Sequence, residues 1–104
     1  MTWSDARAHC KKLNGDLASF ESAEEVGELS VSSSEYFWIG WQYNKVDQEW
    51  FWSDGSSTIW SHWGPGKPNK GSSCAQLHQQ KLFDWPCTST YHFVCKIPGM
   101  EWFL

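Results

Sequence analysis

Apolar residues at Trp3, Ala6, Cys10 and Leu13 lie on one face of a helix. Thr2 is placed as its N-cap, with Asp5 at the third position. Asn14-Gly15 is a stop signal. Leu17 to Phe20 reads as a short strand or extended link, and Ser22-Ala-Glu-Glu25 as a second capping box. The helix it opens points Val26 and Leu29 inward and ends in Ser32, Ser33 and Ser34. The pattern then changes. Tyr36-Phe-Trp-Ile-Gly-Trp41 is a run of strand formers, Asn44 to Gln48 a polar turn, and Glu49 to Ser53 a second strand before the Asp54-Gly55 turn. Ser56 to Ser73 is rich in Gly, Pro and Ser around Trp60, His62 and Trp63, the pattern of a long functional loop. Cys74 to His78, Leu82 to Trp85 and Tyr91 to Lys96 close the chain as three strands. Two helices followed by a β half make the fold class α+β.

Composition narrows the function classes. The chain has 104 residues, nine of them Trp, with 17% aromatic and 40% hydrophobic residues and a formal net charge of −4. That length fits one domain, and the apolar content excludes disorder. The acidic balance argues against a nucleic-acid binder. No apolar run approaches the ~20 residues of a membrane span. A nucleophile elbow, a zinc-spaced His pair, a phosphate loop and a carboxylate dyad are all missing, so the sequence points away from an enzyme.

Cysteines stand at positions 10, 74, 87 and 95. An even number in a short aromatic chain favours two disulfides and an oxidising compartment. A zinc site is the alternative, but no tight Cys pair exists for it. Spacing alone leaves all three connectivities open. The start, Met1-Thr-Trp-Ser-Asp5, lacks the basic and apolar regions of a signal peptide. With disulfides, this leads us to expect a mature or excised piece of a longer protein.

Taken together these residues resemble a C-type lectin-like domain over roughly residues 2 to 97. The likeness rests on several motifs in order: the Trp3…Ala6…Cys10 helix, Asp16-Leu-Ala-Ser19, Ser22-Ala-Glu-Glu25, Trp38-Ile-Gly-Trp41, Trp50-Phe-Trp-Ser-Asp-Gly55, Trp63, Pro68-Asn69, and the cysteines. The resemblance implies two helices packed on antiparallel sheets, a long loop, and the bridges Cys10–Cys95 and Cys74–Cys87. Loop-closure entropy values the first bridge at roughly 4.5 kcal/mol and the second at roughly 3. The second is expected to staple two strands that frame the long loop.

In sugar-binding members, calcium sits beside that loop and holds the sugar hydroxyls. Carried over by position, the first ligand triplet becomes Lys67-Pro68-Asn69, a Glu becomes Ser72, and Trp-Asn-Asp becomes Leu82-Phe83-Asp84. Only Asn69 and Asp84 remain as metal ligands, and the stretch from Asn69 to Cys74 is short for the pattern. Calcium takes about 6–8 oxygens, so the expectation is no cofactor and no calcium-and-sugar site of the usual kind. The bland roles are a turn residue for Asn69 and a loop-bracing carboxylate for Asp84.

Between Asp54 and Asp84 there is no acidic residue, while Lys67, Lys70, Lys81, His62 and His78 fall in that stretch. This suggests a locally basic loop face for an anionic group, against the plainer view that the lysines solvate a loop. The histidines lack paired spacing and carry little information. Trp3, Trp38, Trp52 and Trp63 are expected in the core, with Trp41 replacing a core Leu. Trp50, Trp60 and Trp85 are less constrained, and Trp85, between Asp84 and Pro86, is the candidate exposed stacking residue.

The domain is assigned to residues 1–98 and a tail to 99–104. Three explanations fit Gly99-Met-Glu-Trp-Phe-Leu104: the start of a following domain in a mannose-receptor-type tandem array, a strand folding back into the place of the family's missing first strand, or a disordered stub. The function expected is an extracellular, non-catalytic recognition module for a glycan or protein ligand, secreted or on a cell-surface receptor. Its ligand-binding residues would be Lys67, Asn69, Lys70, Asp84 and Trp85, largely independent of calcium. The alternatives are a calcium-dependent lectin with a degraded site on Asn69, Asp84, Ser72 and backbone carbonyls, and a purely structural or partner-binding role.

Overall fold

The computed structural model describes residues 1–28, 35–57, 61–68, 71–99 and 102–103. The expectations for Leu29, Ser32 to Ser34, Trp60, Asn69 and Lys70 therefore lie outside the described residues.

Helix α1 runs Trp3–Lys12 and starts as its sequence dictates, with the Asp5 amide donating to Thr2 Oγ1 at 3.2 Å. Asp5 in the first turn and His9, Lys11 and Lys12 in the last match the helix dipole. At its end Asn14, not Gly15, takes the left-handed conformation, at φ 66°. Gly15 serves close approach instead, since a Cβ there would stand 2.5 Å from the Lys96 carbonyl oxygen. Strand β1, Asp16–Leu17, follows, and then helix α2, Ala23–Glu28. The α2 capping box is a variant. The Glu25 amide donates to Ser22 Oγ at 3.1 Å, while Glu25 Oε1 accepts from the Glu21 amide rather than that of Ser22.

Strands β2 (Phe37–Asn44), β3 (Glu49–Trp52), β4 (Cys74–His78) and β5 (Lys81–Trp85) form an antiparallel sheet in the order β3-β2-β4-β5. The strand expected over Tyr91 to Lys96 is corrected by the structure. It divides into β6, His92–Phe93, and β7, Cys95–Lys96. Strand β6 runs parallel to β2, while β7 pairs antiparallel with β1 in a second sheet of order β1-β7-β8. Val94 is the crossing point: its amide donates to Trp38 and its carbonyl accepts from Ala18. Strand β8, Trp102–Phe103, adds to β7, and Trp102 stacks on Phe20 at 5.7 Å.

The core has two parts. One gathers Phe20, Ile39, Trp41, Trp52, Leu82 and Val94 between the sheets. The other gathers Trp3, Ala6, Cys10, Leu17, Trp38, Cys74 and Cys95 around α1. Trp3, Trp38, Trp41 and Trp52 are buried, whereas Trp63 is half-buried against the first cluster. Buried indoles need partners, and two find carbonyls: Trp3 donates to Ile39 at 2.8 Å, and Trp38 to Met1 and Ser89. Asp16 ties the halves together, taking Arg7 Nε at 3.1 Å and the Ser53 hydroxyl at 3.1 Å.

Both disulfides are present, Cys10–Cys95 and Cys74–Cys87. One detail departs from expectation. Cys87 lies beyond the end of β5, so the short bridge fastens β4 to the turn after β5 rather than strand to strand.

Candidate functional site

The long loop comes back along β5. Leu82 donates to the His62 carbonyl and accepts from the Gly64 amide, both at 2.8 Å, with Trp63 bridged parallel to Leu82. Gly64 is required there, because a Cβ would enter the Phe83 ring. The next turn, closed by the Lys67 amide on the Gly64 carbonyl at 3.1 Å, delivers Lys67 to the end of β5. The Lys67–Pro68 peptide bond is cis.

Alternation along β5 buries Leu82 and Asp84 and exposes Lys81 and Trp85. Asp84, opposite Ala75 on β4, has a fully buried side chain. Lys67 Nζ sits 3.3 Å from Asp84 Oδ1 and donates to the Asp84 carbonyl oxygen at 3.3 Å. The same ammonium lies 5.6 Å from the centre of the Trp85 ring, within cation–π range. Trp85 itself is 40% exposed.

Three of the five ligand-binding residues read from the sequence thus meet at one end of β5: Lys67, Asp84 and Trp85. Asn69 and Lys70 lie outside the described residues. The described lysines do not make one basic patch. Lys67 is turned onto Asp84, and Lys81 sits at the opposite end of β5, about 10 Å from Asp84 at strand rise. His78, beside Lys81 in register, is occupied by a stack on Tyr36 at 3.9 Å. Among the described residues, no group of three or more His, Cys, Asp or Glu is placed to hold a metal ion.

One cleft was not foreseen. It lies between the β2–β3 hairpin and the returning loop, has a volume of about 260 Å³, and is lined by Tyr43, Lys45, Trp50, Pro68, Ser72 and Ser73. The period-two pattern of β2 and β3 could have put Tyr43 and Trp50 on adjoining strands. Nothing local could have told that Ser72 and Ser73 close the other wall.

Just beyond the end of β3, Asp54 sits in a serine cluster. Burial pushes its carboxyl up, but hydrogen bonds from Ser19 Oγ, the Ser56 amide and the Ser56 hydroxyl, with the Lys96 charge, more than offset this and hold it below its ordinary value. Ser19 Oγ donates to Asp54 Oδ2 at 2.6 Å.

Residues 1–97 match the family described as "Lectin C-type domain". Over 106 aligned positions the chain is 32% identical to CD209 antigen-like protein C of Mus musculus, covering 95% of this chain and 60% of that protein. The chain therefore spans 60% of that relative's length. The fold superposes on the cow C-type carbohydrate-recognition domain of CD23, solved in the presence of a GlcNAc2Man3 oligosaccharide. The TM-score is 0.84 and the identity 31%, over 96% of this chain and 83% of that one. It also superposes on a calcium-independent type II antifreeze protein with a TM-score of 0.82 and 33% identity, over 91% of this chain and 77% of that one. With a family match over residues 1–97, the chain belongs to the C-type lectin domain family.

Proposed function

We propose that this domain is an extracellular, non-catalytic recognition module. It binds a glycan or protein ligand through the face carrying Lys67, Asp84 and Trp85, without calcium. The carrying observation is the Lys67–Asp84 contact at 3.3 Å. Asp84 is the strongest anionic donor in the metal-ligand set implied by the family pattern, and it faces an ammonium. A divalent ion about 4 Å from that ammonium would be repelled by roughly 8 kcal/mol at an effective dielectric of 20. The donor chemistry fits no better: calcium takes about 6–8 oxygens. Ser72 stands where the pattern has a Glu, and Leu82 and Phe83 fill the other ligand positions. The residues do not fit the ion, so the lysine side chain takes over its charge-balancing role.

Other features support the reading. Two disulfides fit an oxidising compartment. The exposed Trp85 ring, with a cation beside it, offers an apolar plane of the kind that binding hot spots use. One structural neighbour was solved in the presence of an oligosaccharide and another is a calcium-independent antifreeze protein, so the family frame accommodates both properties.

The test is an array of glycans and candidate protein ligands, probed with and without chelator. Binding retained in chelator and lost in Trp85→Ala is the expected result. Binding abolished by chelator overturns calcium independence, and full binding by Trp85→Ala overturns the assignment of the face.

A further inference from the structure

We propose that the cavity walled by the end of α1, the segment after β3 and the turn after β7 is a ligand site for a zwitterion, a small molecule carrying an ammonium and a carboxylate. It shares no lining residue with the Lys67, Asp84 and Trp85 face, so the inference goes beyond the recognition reading and does not rest on it.

Three stretches distant in the chain build the cavity. Lys11 to Ser19 supplies one wall, Ser53 to Ser56 a second and Lys96 to Gly99 a third, around a volume of about 530 Å³. That volume lies within the ~300–1,000 Å³ of small-molecule sites. The walls are fastened to one another. The Cys10–Cys95 disulfide joins the residues that precede Lys11 and Lys96. Asp16 pairs in register with Lys96 and accepts from the Ser53 hydroxyl at 3.1 Å. Gly15 permits the close fit of the first wall on the third, since a Cβ there would stand 3.0 Å from Ile97 Cγ1. The site is therefore formed before a ligand arrives, and binding orders little that is not ordered already.

Charge selects the ligand. Asp16 carries a single negative charge and meets two cations, Arg7 Nε at 3.1 Å and Lys11 Nζ at 3.5 Å. A positive charge is left over at this end, and Lys11, with its side chain 56% exposed, is the member that lines the cavity. Lys96 adds nothing to that surplus, because its ammonium lies 3.6 Å from the Glu25 carboxylate. Asp54 is the reverse case. Its carboxylate accepts from Ser19 Oγ at 2.6 Å and from the Ser56 amide at 2.9 Å. No cation among the described residues forms an ion pair with it. Burial raises its proton affinity, yet the hydrogen bonds and the more distant Lys96 charge outweigh burial and keep it ionised. The lining thus presents an uncompensated charge of each sign. A ligand with a single charge answers one of them, and a zwitterion answers both.

The test is a two-dimensional ¹H–¹⁵N NMR titration of the intact chain with glycine, 4-aminobutyrate and 6-aminohexanoate, against butylamine and butyrate. Expected are shifts at the Ser56 and Gly99 amides and the Asn14 side-chain amide with the zwitterions. The member that binds best reads the spacing of the two charges. Butylamine and butyrate should bind about fivefold more weakly than that member, each lacking an ion pair of the exposed kind. Asp54→Asn should weaken the best zwitterion by about fivefold as well. Lys11→Gln should do the same while leaving Asp16 paired with Arg7, and it guards against an Asp54 variant that fails to fold. Butylamine or butyrate binding as tightly as the best zwitterion overturns the ligand class. Unchanged binding in Lys11→Gln, or silence at all these amides with every compound, overturns the site and leaves the Trp85 face untouched.

Discussion

Lys67 closes on Asp84 twice over, its ammonium 3.3 Å from the buried carboxylate and 3.3 Å from the same residue's carbonyl oxygen. One side chain thus neutralises a buried charge and pins the loop to the end of β5. Removing it should expose both effects. Lys67→Met should lower stability by about 3 kcal/mol, since breaking a buried pair leaves a charge behind. Adding Asp84→Asn should recover part of the loss. Chemical denaturation of the single and double variants measures this, and a double variant no better than the single one would deny the electrostatic origin.

A second prediction concerns acid. Asp54 holds its proton less tightly than an ordinary carboxylate because of Ser19, Ser56 and Lys96. A depressed folded value means that its stabilising share is complete above the ordinary carboxylate range. That share is lost as pH falls through the lowered value. Ser19→Ala removes the 2.6 Å hydrogen bond, so the Asp54 value should rise toward ordinary. Carbon-detected NMR titration of Asp54 reads this directly, and an unmoved titration would contradict it.

The β4–β5 hairpin turns through Gln79 and Gln80, both left-handed at φ 49° and 66°. Such a turn favours Asn-Gly, and glutamine pays backbone strain there. Gln79→Asn with Gln80→Gly should stabilise the domain by about 1 kcal/mol, or roughly 4–8 °C in melting temperature. Thermal melts of the pair against the parent decide it.

Gly64 lets the loop lie on Phe83. Gly64→Ala should destabilise by about 1–3 kcal/mol through overpacking. Phe83→Leu in the same chain should relieve part of that loss, because the obstructing atoms belong to the ring. An alanine variant as stable as the parent would show that the loop has room there.

Much of the frame was legible because its signals are local. Thr2 and Ser22 cap their helices as their positions suggest, and Cys74 to His78 is a strand from end to end. The division at Val94 was not legible. Strand formers run through Tyr91 to Lys96 without marking which neighbour each residue will meet, and that choice is made by Trp38 and Ala18, distant in the chain. The site shows the same limit. Sequence spacing marked Lys67, Asp84 and Trp85 as candidates. The stretch empty of acids suggested a free basic face, yet the carboxylate that answers Lys67 arrives from 17 positions further on. Trp50 was left unassigned because its cleft needs both the hairpin and the returning loop.

The pairing of β1 with β7 sets Asp16 beside Lys96 and Leu17 beside Cys95. These partners come from opposite ends of the chain, so their contact can reward folding only after nearly the whole loop between them has been ordered. The β2–β3 and β4–β5 hairpins carry no such delay. The small sheet is then a latch that shuts late. In pulse-labelled hydrogen exchange, the amides bonded across the β4–β5 hairpin should gain protection before that of Ala18, which donates to the Val94 carbonyl at 2.9 Å, and the order in which the domain assembles runs opposite to the order in which its chain begins.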